Sequence, residues 1–322
     1  MPLTLPHLPA QDTTTPSAGS PCGELPGRPR AASQSSVPVR LLALWHLCSF
    51  DAPTVAVAWS LGFAWASGVR LAAWVPAMQA LAVWAVYVCD RILDARPAME
   101  AADLRRLRER HFFHWRHRRI LLPLAIGAGC AACGLILVFM PLAARERNSV
   151  LAAACLMYFA RVHWGGKRRP FLPALFTKEL LVGMLFTSGC ALPVFGSLWA
   201  VRRASFGSLL CVTAFFAVLA WLNCRAIDGW ESGESESGAR SHARRSCFRA
   251  ARLLAGAGLA LAALMSHQPP VAALLAVGGI SAAMLALLDT KRNHLSPVTL
   301  RAAADAVLLT PAVLLVFVRM MR

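Results

Sequence analysis

Nine apolar runs, each close to the length that crosses a bilayer, follow one another along this chain with short polar breaks between them. A membrane span needs about 20 mainly apolar residues. The runs are Phe50–Val69, Trp74–Leu93, Ile120–Met140, Ser149–Trp164, Leu172–Phe195, Ser208–Asn223, Phe248–Ser266, Val271–Leu288 and Leu300–Val318. In hydrocarbon every backbone polar group must be satisfied within the segment, so apolar runs of this length fold as helices. The expected fold class is therefore all-α: a polytopic integral membrane protein with about nine transmembrane helices in a bundle.

Composition supports this and excludes other classes. The hydrophobic share is 57% and the charged share 15%, too apolar for an ordinary soluble domain. The net charge of +17 could suit a nucleic-acid binder, but the arginines sit in short loops between the runs. That placement fits membrane topology and lipid contact, and no nucleic-acid partner is expected. Most cysteines lie inside the apolar runs, as small packing residues do. Cys130 and Cys133 form a CxxC with no partner pair at zinc spacing. Residues 1–40 are rich in Pro, Ser, Thr and Gly and read as a disordered tail. They have no apolar core behind a basic start, so they are not read as a secretory signal. The membrane domain is expected over 41–322.

Basic residues orient the bundle. With the N-terminus inside, the inner loops hold Arg96 to Arg119, Lys167 to Arg169, Arg240 to Arg249, and Lys291 and Arg292. The outer loops are poorer in arginine, which predicts a cytoplasmic N-terminus in a bacterial cytoplasmic (inner) membrane. The triplet His111, His114, His117 lies in the first inner loop beside Phe112 and Trp115. It is read as an interfacial amphipathic helix.

Two acidic clusters then fall on one side. Asp90 and Asp94 close the second run, four residues apart and so on one helix face. Asp228 and Glu231 follow the sixth. Carboxylates at helix ends in a membrane bundle are costly unless a cation lies between them. The expectation is that all four converge on one cavity and hold magnesium, which favours hard oxygen ligands and shares them with substrate phosphates. Arg91, Arg225, Lys167, Arg168 and Lys178 are the cationic candidates for a diphosphate. Tyr87 is one of the aromatics placed to shield a carbocation. The plain reading is that Asp90 and Asp94 are solvated or paired with Arg91 and Arg96, and that Asp228 and Glu231 open a polar Ser/Gly loop running to Ser241. Lys178 and Asp305 are further ionisable groups inside runs, each a functional candidate by default.

Val86-Tyr87-Val88-Cys89-Asp90-Arg91-Ile92-Leu93-Asp94 resembles the first motif of the UbiA superfamily of intramembrane prenyltransferases, Asn-Asp-x-x-Asp-x-x-x-Asp. The last two aspartates and the arginine match, and Val86-Tyr87 replaces Asn-Asp. Asn223, Arg225, Asp228 and Glu231 resemble the second motif, and Lys167-Arg168 a Lys-Arg pair between helices four and five. His46, Asp51 and Pro53 are loosely similar to the entry to helix one. The resemblance runs from about Leu41 to the C-terminus. It implies magnesium-dependent transfer of a prenyl group from a polyprenyl diphosphate to a lipophilic acceptor of aromatic or quinone type. Asn223 and Tyr87 join the implied substrate-binding set. The alternative is a non-catalytic or transport protein that keeps the bundle and has lost part of its first motif. A CDP-alcohol phosphotransferase motif begins at Asp228-Gly229, but its later residues do not follow.

Overall fold

The computed structural model describes residues 37–100, 108–164, 178–201, 206–231 and 238–321. The segment read as a tail lies outside them up to residue 36, and helix starts at Val37, a few residues before the expected boundary. The helices are α1 (Val37–Leu47), α2 (Asp51–Ala66), α3 (Trp74–Glu100), α4 (Glu109–Arg116), α5 (Arg118–Phe139), α6 (Leu142–Trp164), α7 (Lys178–Val201), α8 (Phe206–Glu231), α9 (Gly238–Leu264), α10 (Pro269–Lys291), α11 (Pro297–Ala306) and α12 (Thr310–Met320). No strand occurs among the described residues.

Each of the nine apolar runs lies largely in helix, but not every helix is built to cross a membrane unaided. Among the described residues six are long and apolar enough, or seven if the bent pair α1–α2 counts as one span. The shortfall from nine has local causes. Helix α2 has only 16 residues. Helix α3 carries Gln79, Asp90 and Arg91 within its apolar stretch, and α6 opens on Arg145, Glu146 and Arg147. Of these, Asp90 and Arg91 are what the site is made from in α3.

The core is a contiguous cluster from α2, α7, α8 and α10 around Trp59, Phe63, Phe216 and Leu274. Trp59 stacks on Phe216 with ring centroids 3.9 Å apart. Small residues let backbones approach where α9 meets α10: a Cβ on Gly258 would lie 2.8 Å from Gly279 Cα. Such close contact is how helices associate in lipid, where burial of apolar surface gives no drive. Polar side chains add cross-links. Ser60 Oγ donates to Gln79 Oε1 at 2.7 Å or to the Cys190 carbonyl at 2.8 Å, joining α2, α3 and α7.

Two breaks interrupt otherwise continuous helical runs, and both have a chemical cause. The first separates α1 from α2, which meet at 88°. Phe50 N donates to Trp45 O and Ser49 N to His46 O, the paired bonds of a Schellman turn. Ser49 takes the left-handed position there, with φ 60°. The same pair of bonds ends α2, from Val69 N to Ala64 O and Gly68 N to Trp65 O, with glycine in the left-handed position. A serine in this conformation is strained, so its side chain must be held. The second break, at Val307–Leu309, precedes Pro311. Proline has no N–H to offer the Val307 carbonyl one turn back. Ser281 Oγ supplies that bond at 2.6 Å, and Trp59 Nε1 donates to the next carbonyl, Leu308 O, at 2.9 Å.

Candidate functional site

Two polar centres lie on neighbouring faces of α3, since residues one apart on a helix point about 100° apart. The open centre is built by Asp90 and Asp94. Their side chains are 39% and 32% exposed. The imidazole of His163, from the end of α6, sits between them, with Nε2 2.9 Å from Asp90 Oδ1 and Nδ1 3.8 Å from Asp94 Oδ1. Phe159 packs against that ring at 4.5 Å. The three ligand-capable atoms lie within 4.8 Å of one another. Lys178, at the start of α7, and Arg110, on α4, are near enough for their charges to act on Asp94. The Tyr158 hydroxyl on α6, close to both carboxylates, is buried without a hydrogen-bond partner among the described residues.

The sealed centre is built by Arg91, which turns away from Asp90 and Asp94 and is buried. Its guanidinium donates to the His46 carbonyl and to Ser49 Oγ, both at 2.8 Å, and to Asp51 Oδ2 at 3.1 Å. Asp51, 1% exposed, also accepts from Ala52 N at 2.9 Å and from His46 Nδ1 at 2.6 Å. Asp305, at the end of α11, approaches His46 Nδ1 at 3.6 Å and accepts from Asn223 Nδ2 at 3.1 Å. Asn223, on α8, is 4% exposed, and its Oδ1 has no hydrogen-bond partner among the described residues.

The strained Ser49 is held from this side. It accepts from Arg91 and donates its own hydroxyl hydrogen to His114 Nε2 at 2.9 Å. His114 Nδ1 in turn donates to the Arg110 carbonyl at 2.8 Å. One ring nitrogen accepts and the other donates, so the network requires neutral imidazole. Burial holds His114 at about 4, and the Arg91 charge acts in the same direction, against the bond to Arg110 O. Burial and then Arg110 hold His111 at about 3. The helix expected at the interface is thus α4, and one of its histidines, His114, is fully buried.

The sequence-read residues divide as follows. Asp90, Asp94 and Lys178 come together in the open centre. Arg91 and Asn223 belong to the sealed one, with Tyr87 beside them: Arg91 Cζ lies 5.9 Å from its ring. Arg225 pairs with Asp228 on its own helix at 3.6 Å. Glu231 is the last residue of α8, and its side chain, like Lys167 and Arg168, lies outside the described residues. Much of the loop from Glu231 to Ser241 also lies outside them, and helix resumes at Gly238.

His163 was not among the residues read as functional, although it stands at the end of the fourth run, on the same predicted side as Asp94. Ser49 gave no signal and His114 was read only as part of an interfacial helix, because their contact joins a turn to a distant helix. The chain matches no known protein-family model, no curated protein and no solved structure.

Proposed function

We propose that this protein is an intramembrane prenyltransferase that binds a polyprenyl diphosphate through magnesium at the open centre. The observation that carries this reading is the meeting of Asp90, Asp94 and His163 within 4.8 Å. Two half-exposed carboxylates one turn apart fit a magnesium ion that fills its remaining positions with water and phosphate oxygens. His163 keeps the Asp90 carboxylate oriented, a common role for an imidazole beside a ligand. When bound, the ion neutralises charge that grows on the leaving diphosphate. The chain's own part is to bind and orient: Lys178 and Arg110 bring positive charge to the diphosphate, and Asp228 and Glu231 supply the second carboxylate pair. Lipid surrounds the bundle, and the isoprenoid tail and a lipophilic aromatic or quinone-type acceptor enter from it. In the same reading the chain passes a bacterial cytoplasmic membrane nine times from a cytoplasmic N-terminus.

The test is purified protein with labelled farnesyl diphosphate and a panel of aromatic acceptors, with magnesium or chelator. Turnover should require magnesium and fall by about 10²–10³-fold in Asp90→Asn, the scale for losing one group that stabilises developing charge. Turnover that persists in chelator or in Asp90→Asn refutes the reading. A non-catalytic binding bundle is the second reading. It is favoured by the Arg225–Asp228 pair at 3.6 Å, which already neutralises one carboxylate of the second cluster. It predicts magnesium-dependent binding of farnesyl diphosphate with no product.

A further inference from the structure

At the open centre His163 offers more than an anchor for Asp90. It is wedged between two carboxylates, with its side chain 6% exposed and its ring packed on Phe159 at 4.5 Å. A carboxylate only accepts, so the 2.9 Å contact is Nε2 donating to Asp90 Oδ1. A neutral imidazole has one hydrogen, and this bond uses it. The Nδ1 lone pair then faces Asp94 Oδ1 across 3.8 Å. That distance is too long for a hydrogen bond, so a second proton on Nδ1 would gain none. A lone pair facing an anion calls for a cation between them, and the span is that of a metal bridge. Two bonds of about 2.1 Å cross 3.8 Å at an angle of about 130°, and a shift of about 0.4 Å makes it tetrahedral.

The far side of the ring points the same way. An imidazole that ligates a metal through one nitrogen almost always gives the hydrogen on the other to a carboxylate, a carbonyl or water, which fixes the tautomer and raises the basicity of the ligand. Asp90 stands in that position. The other cluster of ligand-capable groups among the described residues is His46, Asp51 and Asp305. It differs in one respect, because Arg91 already supplies positive charge to Asp51 at 3.1 Å. Lys178 and Arg110 lie near enough to act on Asp94, and their charge keeps the affinity of the open centre for a cation moderate. The nitrogen selects the ion. Imidazole suits zinc and its neighbours, carboxylate and water suit magnesium and manganese, and manganese stands lowest in affinity among the first-row divalent ions.

We propose that the open centre also binds a zinc-type ion directly, and that this ion inhibits the site. His163 Nδ1 and an Asp94 oxygen are the ligands, and water completes the shell. Asp90 is a positioning residue that holds the imidazole by Nε2. An ion held this way takes Asp94, so it excludes the magnesium-bound diphosphate. Magnesium and manganese reach the centre with diphosphate, whose oxygens supply the ligands they prefer. Zinc takes the nitrogen and needs no diphosphate. The inhibition rests on the donor binding proposed above; the ion site stands without it.

The probe is cobalt(II), whose visible absorption rises when a protein holds it in four-coordinate form. The full-length protein in phosphatidylcholine nanodiscs should give a saturable band that zinc abolishes and a large excess of magnesium does not. His163→Asn and Asp94→Asn should each lose the band. Asp90→Asn should keep it and weaken binding by about 10–100-fold, the scale for a group that holds a metal ligand in place. The double variant Cys130→Ser, Cys133→Ser should match the wild type. Wild-type circular dichroism and thermal midpoints in the variants show that they fold. Zinc should also displace farnesyl diphosphate bound with magnesium. The absence of a saturable band, a band that survives in His163→Asn, or a band lost with the two cysteines overturns the proposal. Zinc binding that leaves farnesyl diphosphate in place overturns the inhibition. A wild type that binds cobalt through His163 and ignores farnesyl diphosphate supports the ion site and removes the donor reading instead.

Discussion

The open and sealed centres share a helix, a turn of sequence and a carboxylate–histidine contact, yet they solve opposite problems. At the open centre Asp90 and Asp94 keep about a third of their surface in solvent, so neither needs a permanent counter-charge. At the sealed centre Asp51 has no such outlet and is matched by Arg91, His46 and Ala52 N. Burying a charge is costly, and breaking a buried pair leaves the full penalty on the partner that remains. The difference teaches that neighbouring residues of one motif, Asp90 and Arg91, serve different ends: one is available to a ligand, the other holds two broken helices together.

This contrast breaks first, and most visibly, at Arg91. Arg91→Gln should cost about 3–5 kcal/mol, the scale for stranding a buried ion-pair partner. A large loss of thermal stability in detergent should follow, and an unchanged midpoint would show that Asp51 is not held by Arg91.

Acid sharpens the comparison next. The folded protein keeps His114 neutral down to about pH 4, whereas an unfolded histidine takes its proton near 6.5. Because the lower value belongs to the folded state, this contribution to stability is complete above about pH 6.5. It declines as pH falls toward 4 and is flat below, at about 1.4 kcal/mol per pH unit and about 3 kcal/mol in all. His111 acts in the same sense. Denaturation across that window should show the slope, and His114→Gln should flatten it. An equal slope in the variant contradicts the neutral-imidazole network.

Ser49 separates backbone from side chain. Ser49→Ala keeps the left-handed strain and loses both hydroxyl bonds, at about 1–3 kcal/mol. Ser49→Gly loses the same bonds but relieves the strain, so it should be the milder change by about 1 kcal/mol. If the two are equal in equilibrium unfolding, φ at Ser49 carries no strain. The smallest effect belongs to the open centre: Asp90→Asn and Asp94→Asn should shift stability by no more than about 0.5 kcal/mol, as ordinary surface changes do. A large loss in either would make those carboxylates structural.

How far the sequence revealed these two centres follows from how each is made. The spacing of Asp90 and Asp94 is a local property of one intact helix, and it was legible as a shared face. The nine apolar runs were legible for the same reason, since backbone satisfaction in lipid leaves little choice but helix. What spacing could not reveal is anything assembled by a break. His46 meets Asp51 because the chain turns by 88° between them. Asp305 meets Asn223 from 82 residues away. A serine in place of glycine at a left-handed turn gives no clue to the arginine and histidine that hold it. Arg91 was legible as a functional cation but not in its direction, because adjacent helix positions face different neighbours. The same holds for Asp228: its place at a helix end was visible, and its pairing with Arg225 depends on side-chain orientation.

The most direct measurement of the central claim is equilibrium binding of manganese, as a paramagnetic stand-in for magnesium, to the purified protein by electron paramagnetic resonance. It should be run with and without farnesyl thiodiphosphate, a donor that does not ionise readily. The account predicts that the wild type binds manganese tightly only with the thiodiphosphate present. Asp90→Asn and Asp94→Asn should each weaken that binding by at least tenfold, and His46→Gln should leave it unchanged. Manganese binding that ignores the thiodiphosphate, or survives both aspartate substitutions, would contradict the account.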